Sequence, residues 1–199
     1  PKKPEILVAG CGTGQHSIST ATRFANSKVT AIDLSLSSLG YAARKTQEFG
    51  VSNIEYFQGD ILELSSMKRK FDIIECVGVL HHLEEPLLGW KVLLDLLSNN
   101  GLMLIGLYSE IARRSITMAR DLIADKAYLP THEGIRNCRQ EMMNMKNDEN
   151  LFATILNYSD FYSFSDCRDL LFHVQEQRFN IPQIQRALCD FGLKFLGFE

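Results

Sequence analysis

An apolar run, Glu5-Ile6-Leu7-Val8-Ala9, breaks directly into Gly10-Cys11-Gly12-Thr13-Gly14 and then into a helical pattern reaching about Asn26. A strand that passes into a helix cannot form a hairpin with the next strand; the helix crosses over, and the strands run parallel. The alternation recurs. Lys28 to Asp33 reads as a second strand, followed by a Ser-rich helix start with Leu36, Leu39 and Ala43 at helical spacing, ending near Gly50. Asn53 to Phe57 is a third strand and Phe71 to Val77 a fourth. Pro86 opens a helix through Leu96 that Asn99-Asn100-Gly101 stops. Leu102 to Leu107 is a fifth strand, apolar on both faces, as expected where helices cover both sides of a sheet. Residues 1–107 therefore predict an α/β fold with an open, doubly wound, mostly parallel sheet.

From Tyr108 the alternation stops. Ser109 can cap a helix carrying Ile111, Met118, Ala119, Leu122 and Ile123, ended by Pro130. Gly134 to Asn144 and Asp169 to Glu176 also look helical, and Met142 to Asn150 reads as a polar surface linker. The stretch 108–180 is too long for a plain loop and is expected to be a helical insertion after strand five. Ile181-Pro182 opens a last helix, and Gly192 to Phe198 looks like a strand, placing 181–199 with the sheet.

Composition narrows the class. The chain has 199 residues and a net charge of -3, so no global basic field favours nucleic acid, although Lys68, Arg69 and Lys70 form a local patch. The longest apolar stretch, Gly101 to Tyr108, is too short to span a bilayer, and Lys2 and Lys3 lead straight into a strand-like run rather than a secretory signal. Cys11, Cys76, Cys138, Cys167 and Cys189 are odd in number and scattered, as expected of a reducing cytoplasm; neither they nor the histidines show metal-ligand spacing.

In an open parallel sheet ligands bind outside the carboxyl ends of the strands. Three features fall there. The loop Gly10 to Gly14 lets a ligand approach bare backbone and offers helix N–H groups to an anion; the alternative is a turn without ligand. Asp33, nineteen residues after Gly14, can accept both hydroxyls of a ribose, or simply cap a helix, a role Ser35 could fill. Asp60 in Gly59-Asp60-Ile61 can accept from an adenine amino group while Ile61 packs on the ring; as an isolated dipeptide Gly-Asp is more often a turn.

Together these residues resemble the class I methyltransferases that use S-adenosylmethionine, a Rossmann-like family, and the resemblance spans Glu5 to Leu107. It rests on Val8 to Gly14, Ala31-Ile32-Asp33, Gly59-Asp60-Ile61 and Phe71 to Val77, with Val79-Leu80-His81-His82-Leu83 similar to members acting on small molecules. It implies that Gly10, Cys11, Gly12 and Gly14 face the methionyl part of S-adenosyl-L-methionine, and that Asp33, with Leu34, meets the ribose. It places Asp60 with Ile61 at the adenine and the backbone near Val77 at the amino group. The whole chain, including Cys167 to Gln175 and Phe195 to Glu199, further resembles bacterial methyltransferase modules attached to tetratricopeptide arrays; no such repeat occurs here. The family resemblance also implies a closing antiparallel pair and often a helix before Glu5, so the chain is expected to be a module of a longer protein with a protein-interaction region. An NAD(P)-dependent oxidoreductase is the competing enzyme, but Gln15 and Ser17 break the G-x-G-x-x-G pattern, and Asp33 is common to both families. A non-catalytic S-adenosylmethionine-binding interaction module is the third reading.

Methyl transfer from a sulfonium asks the protein to position the acceptor, exclude water and, where needed, remove a proton. His81 and His82 are the candidate catalytic residues, either of which could equally hydrogen-bond backbone at the cofactor mouth. The insertion is expected to form a helical lid and the acceptor site, with Tyr108, Arg168 and His173 the named candidates and Asp169 and Arg178 further polar groups. Asp169 and His173 are four apart on the expected helix and could be only a paired face. Phe161, Tyr162 and Phe164 form an aromatic cluster expected to pack in a core rather than stack on substrate, and Met142, Met143 and Met145 are expected to pack a helix face. The acceptor is unidentified, a small molecule or protein in preference to nucleic acid.

Overall fold

The computed structural model describes residues 3–145, 151–173 and 175–199. Alternation along β1 (Glu5–Ala9) explains its architecture: Ile6 and Val8 face one apolar layer, Leu7 and Ala9 the other. With both faces buried, the strand has to sit inside a sheet covered on two sides. β2 (Lys28–Asp33), β3 (Ile54–Gln58), β4 (Phe71–Val77) and β5 (Leu97–Gly106) complete a five-stranded sheet of order β3-β2-β1-β4-β5, every neighbouring pair parallel. The fold is Rossmann-like. Strand order reverses between β1 and β4, the crevice where such sheets take ligands.

The helices are α1 (Gln15–Arg23), α2 (Leu36–Glu48), α3 (Pro86–Asp95), α4 (Arg114–Asp125), α5 (His132–Asn144), α6 (Leu151–Ile155), α7 (Phe164–Phe172) and α8 (Ile181–Asp190). Ala21 of α1 and Leu39 of α2 close one sheet face over Ile6, Val8, Val29 and Ala31. On the other face Trp90 and Leu93 of α3 and Ala187 of α8 cover Leu7, Ile32 and Ile74, and the Trp90 and Phe191 rings meet edge to face at 5.7 Å. Each fully buried aliphatic side chain contributes about 1.5–3 kcal/mol, so these two layers dominate the stability of the sheet.

The described residues divide into two compact units, 1–107 with 181–199, and 108–180. The second is all helical around its own core of Ile116, Ile135, Cys138, Met142, Phe161 and Cys167. Thr131 and Ser163 cap α5 and α7, each hydroxyl accepting from the backbone N–H three residues on. The unit begins and ends on paired backbone: Phe179 N–H donates to the Tyr108 carbonyl at 2.8 Å, and Glu110 N–H to the Phe179 carbonyl at 3.0 Å. Among the described residues no helix is long and apolar enough to cross a membrane.

Several sequence expectations are corrected. Gly192 to Phe198 forms no strand; Phe195, Leu196 and Phe198 stay exposed, because alternation alone supplies no edge to pair with. β5 starts at Leu97 rather than Leu102, since Leu97 pairs with Phe71 across a register irregularity and Asn100 takes a positive φ of 62° there. Asn99-Asn100-Gly101 thus marks a kink within the strand, not a helix stop. Ser109 accepts from Ala112 N–H in a turn, and α4 proper begins at Arg114. α7 ends at Phe172, so Asp169 and His173 do not share a helical face; His173 is extended and its Nδ1 accepts from Gln175 N–H at 3.2 Å. Met142 belongs to α5 and is buried, which shortens the expected linker; residues 146–150 of that stretch, and Val174 of the Cys167–Gln175 motif, lie outside the described residues.

Candidate functional site

The loop after β1 is held open by its own backbone. Gly10 and Cys11 N–H both donate to the Ile32 carbonyl at 2.9 Å, tying the loop to β2, and Gly14 N–H donates to the Cys11 carbonyl. Gly10, Gly12 and Gly14 have φ of 77°, 52° and 90°, the left-handed region where a side chain is strained. Asp33 organises the far side: one carboxylate oxygen accepts from Gly12 N–H at 2.7 Å and the other from Ser35 N–H at 2.9 Å. A carboxylate offers about four acceptor directions, so two remain for a ligand. Ser35, not Asp33, supplies the N-cap of α2. Beneath the loop Ser17 Oγ donates to the Gly14 carbonyl, and the Tyr56 hydroxyl bridges Ser17 and Thr46.

The next two strands end on the same edge. Gly59 N–H donates to the Asp33 carbonyl at 3.1 Å, and Asp60 Oδ1 accepts from Leu62 N–H at 2.9 Å, capping a 3-10 turn from Ile61 to Ser66. Ile61 is buried against α3, whereas Leu34 is exposed. Val77 closes β4 half exposed, and the 3-10 turn Leu80–His82 follows. His81 is fully buried there, its ring 4.3 Å from that of His82, which is only partly covered. Val79 packs on Gly10, where a Cβ would come within 2.2 Å of Val79 Cγ2. By contrast Gly12, Gly59 and Gly78 have nothing within 4 Å of where a Cβ would stand. These three openings, beside Asp33, form a cradle of bare backbone along the carboxyl ends of β1, β3 and β4.

Burial, reinforced by Asp33, pushes the Cys11 thiol up to about 12, so the loop holds no thiolate nucleophile at neutral pH. Among the described residues no group of three His, Cys, Asp or Glu side chains is placed to hold a metal ion. A carboxylate–imidazole pair that sequence reading passed over lies below the loop. Glu75 of β4 is 4% exposed, accepts from Thr20 Oγ1 at 2.6 Å and has His16 Nε2 at 3.0 Å. Burial alone would raise its carboxyl; the His16 and Thr20 partners outweigh that and hold it below the ordinary value, while Glu75 raises His16. The available signal was an acid, Glu75, near the centre of the strand-like run Phe71 to Val77, since a buried carboxylate must find partners.

Tyr108, Arg168 and His173 all belong to the helical unit. The Arg113 guanidinium lies 3.7 Å from the centre of the Tyr108 ring, and burial raises the Tyr108 hydroxyl. Arg168 and Asp169 are exposed on α7. The strongest charge cluster of this unit was also missed: Glu176 accepts from both Arg113 and Arg120, which donates in addition to the Leu170 carbonyl at 3.0 Å. Phe161 is buried in the core with Phe164 packed against it, and Tyr162 meets Phe161 edge to face.

Residues 6–101 match the family model described as a methyltransferase domain. The chain is 30% identical to the putative methyltransferase YqeM of Bacillus subtilis across 98% of this chain and 75% of that protein. It is also 30% identical to the uncharacterized protein syc1184_c of Synechococcus, across 99% of this chain and 49% of that protein. In fold it resembles PKMT2 of Rickettsia typhi, solved in complex with AdoHcy, at a TM-score of 0.74 and 18% identity over 95% of this chain and 38% of that one. The chain thus spans half or less of the length of these last two proteins.

Proposed function

As the chain belongs to the class I S-adenosylmethionine-dependent methyltransferases, we propose that it binds S-adenosyl-L-methionine along the cradle of β1 to β4 and transfers the methyl group to an acceptor selected by the helical unit. The observation that carries this reading is the bare backbone at Gly12, Gly59 and Gly78 beside an Asp33 with acceptor directions to spare. Gly10, Cys11, Gly12 and Gly14 would line the methionyl part, Asp33 with Leu34 the ribose, Asp60 with Ile61 the adenine, and the Val77 backbone the amino group. Bound there, the sulfonium supplies an activated methyl for in-line displacement.

The chain's own work is then positioning and water exclusion, which supply up to about 7–11 kcal/mol of such a barrier. Of the two histidines after β4, His82 is the one with an accessible ring and is assigned the acceptor-facing role, as base or as orienting group. His81, fully buried, supports the turn beneath it. Tyr108, Arg168 and His173 are proposed to contact the acceptor, a small molecule or protein in preference to nucleic acid given the net charge of -3. Isothermal calorimetry tests the cofactor assignment. The chain is expected to bind S-adenosylmethionine and its demethylated product in the micromolar range or tighter, with binding lost in Asp33→Ala. Binding of a nicotinamide dinucleotide in place of both would sink the reading.

A further inference from the structure

Glu75 sits in the register position of β4 that faces Val8 of β1, two residues before Gly10. Its single oxygen Oε2 engages two residues of α1 that are one helical turn apart, His16 and Thr20. α1 has only nine residues, and its cap, Gly14, has no side chain to bond the free N–H groups of the first turn. Besides this pair, that turn is held by Ser17, whose Oγ donates to the Gly14 carbonyl and meets the Tyr56 hydroxyl. An apolar residue of similar volume would fill the same site without the desolvation cost of a buried carboxylate, so packing alone does not account for an acid there.

We propose that Glu75 is a positioning residue for cofactor binding, acting through His16 and Thr20 to set the first turns of α1 and thereby hold the Gly12–Gly14 loop in its open, ligand-ready conformation. The inference rests on the cofactor reading above. When a loop is competent only part of the time, apparent affinity falls by that fraction, so losing the anchor weakens binding without removing a ligand contact. The charged groups around the pair are Arg23, which acts on both partners, and Glu199, which acts on His16.

The sign of the pH dependence follows. Glu75 raises His16, so the ionic pair is complete below the ordinary imidazole range and is lost as pH rises through the raised value. Calorimetry with S-adenosylhomocysteine from pH 5.5 to 9, on the whole chain, reads both effects. Wild type is expected to lose affinity on the alkaline side. Glu75→Gln should bind about tenfold more weakly at neutral pH, the scale of one lost charge-assisted hydrogen bond. Its thermal melt reports whether it folds. His16→Gln, at a partly exposed position, carries the test if Glu75→Gln does not fold: it should bind about threefold more weakly, the scale of one modest ion pair, and erase the alkaline slope. A folded His16→Gln with wild-type affinity and an unchanged slope overturns the proposal. A wild-type chain that binds no S-adenosylhomocysteine overturns the cofactor reading itself, which is a separate result.

Discussion

Gly10 and Gly12 both hold positive φ, yet replacing them should fail in different ways. A methyl at Gly10 collides with Val79, and the left-handed backbone adds strain, so Gly10→Ala is expected to lose about 2–5 kcal/mol of stability. At Gly12 the methyl meets nothing, and only the backbone penalty of about 1–2 kcal/mol applies. The folded Gly12→Ala chain should nonetheless lose cofactor binding if the proposed site is right, because the methyl would fill the opening assigned to the ligand. Urea unfolding paired with calorimetry separates the two. Equal stability losses, or a Gly12→Ala that binds normally, would count against the loop geometry. This difference was not legible in the sequence, where the two glycines look equivalent; their neighbours, Val79 and open space, come from the fold.

At the scale of elements, what was legible tracks what is locally encoded. β1, β2 and β4 have the bounds their sequence runs suggest, because burial on both faces keeps most of their central residues apolar. Of the two acids within β4, Asp72 accepts from Glu5 N–H and the buried Glu75 from Thr20. Where pairing decides, the pattern misled: Leu97 joined β5 through Phe71, and Phe195 to Phe198 found no strand to join. The order of loops along the carboxyl edge of the sheet was readable because each follows its strand end in sequence. The Arg113–Glu176–Arg120 cluster was not, since its members are far apart in sequence and share no periodicity. That cluster joins α4 to the segment after α7, and the Glu176 side chain is 3% exposed. Removing the carboxylate leaves two guanidiniums facing each other in a poorly solvated site. Glu176→Gln should therefore destabilise the helical unit by about 3–5 kcal/mol. Hydrogen exchange resolved by segment should show protection lost in 108–180 and kept in β1 to β4. Uniform loss across the chain would mean the two units unfold together.

For the whole molecule, the division at Tyr108 and Asn180 has a physical consequence. Each unit has its own apolar core, and the helical one starts and finishes on neighbouring backbone, Tyr108 bonded to Phe179 and Glu110 to both Phe179 and Asn180. An insertion whose ends meet can be removed with little change in loop-closure entropy, because the cost depends only on the logarithm of loop length. A chain in which a short Gly-Ser linker replaces 108–180 should fold, since α8 still delivers Ala187, Leu188 and Phe191 to the sheet core. It should bind S-adenosylhomocysteine within about threefold of the full chain, because every residue proposed to contact the cofactor lies outside 108–180 and distant changes couple weakly. It should also lose every methyl transfer the full chain performs. Circular dichroism, thermal melting and calorimetry on the shortened chain decide it. A folded chain that binds but does not transfer assigns cofactor binding to the sheet and acceptor choice to the helices, whereas an unfolded one shows that the sheet depends on the insertion for its stability.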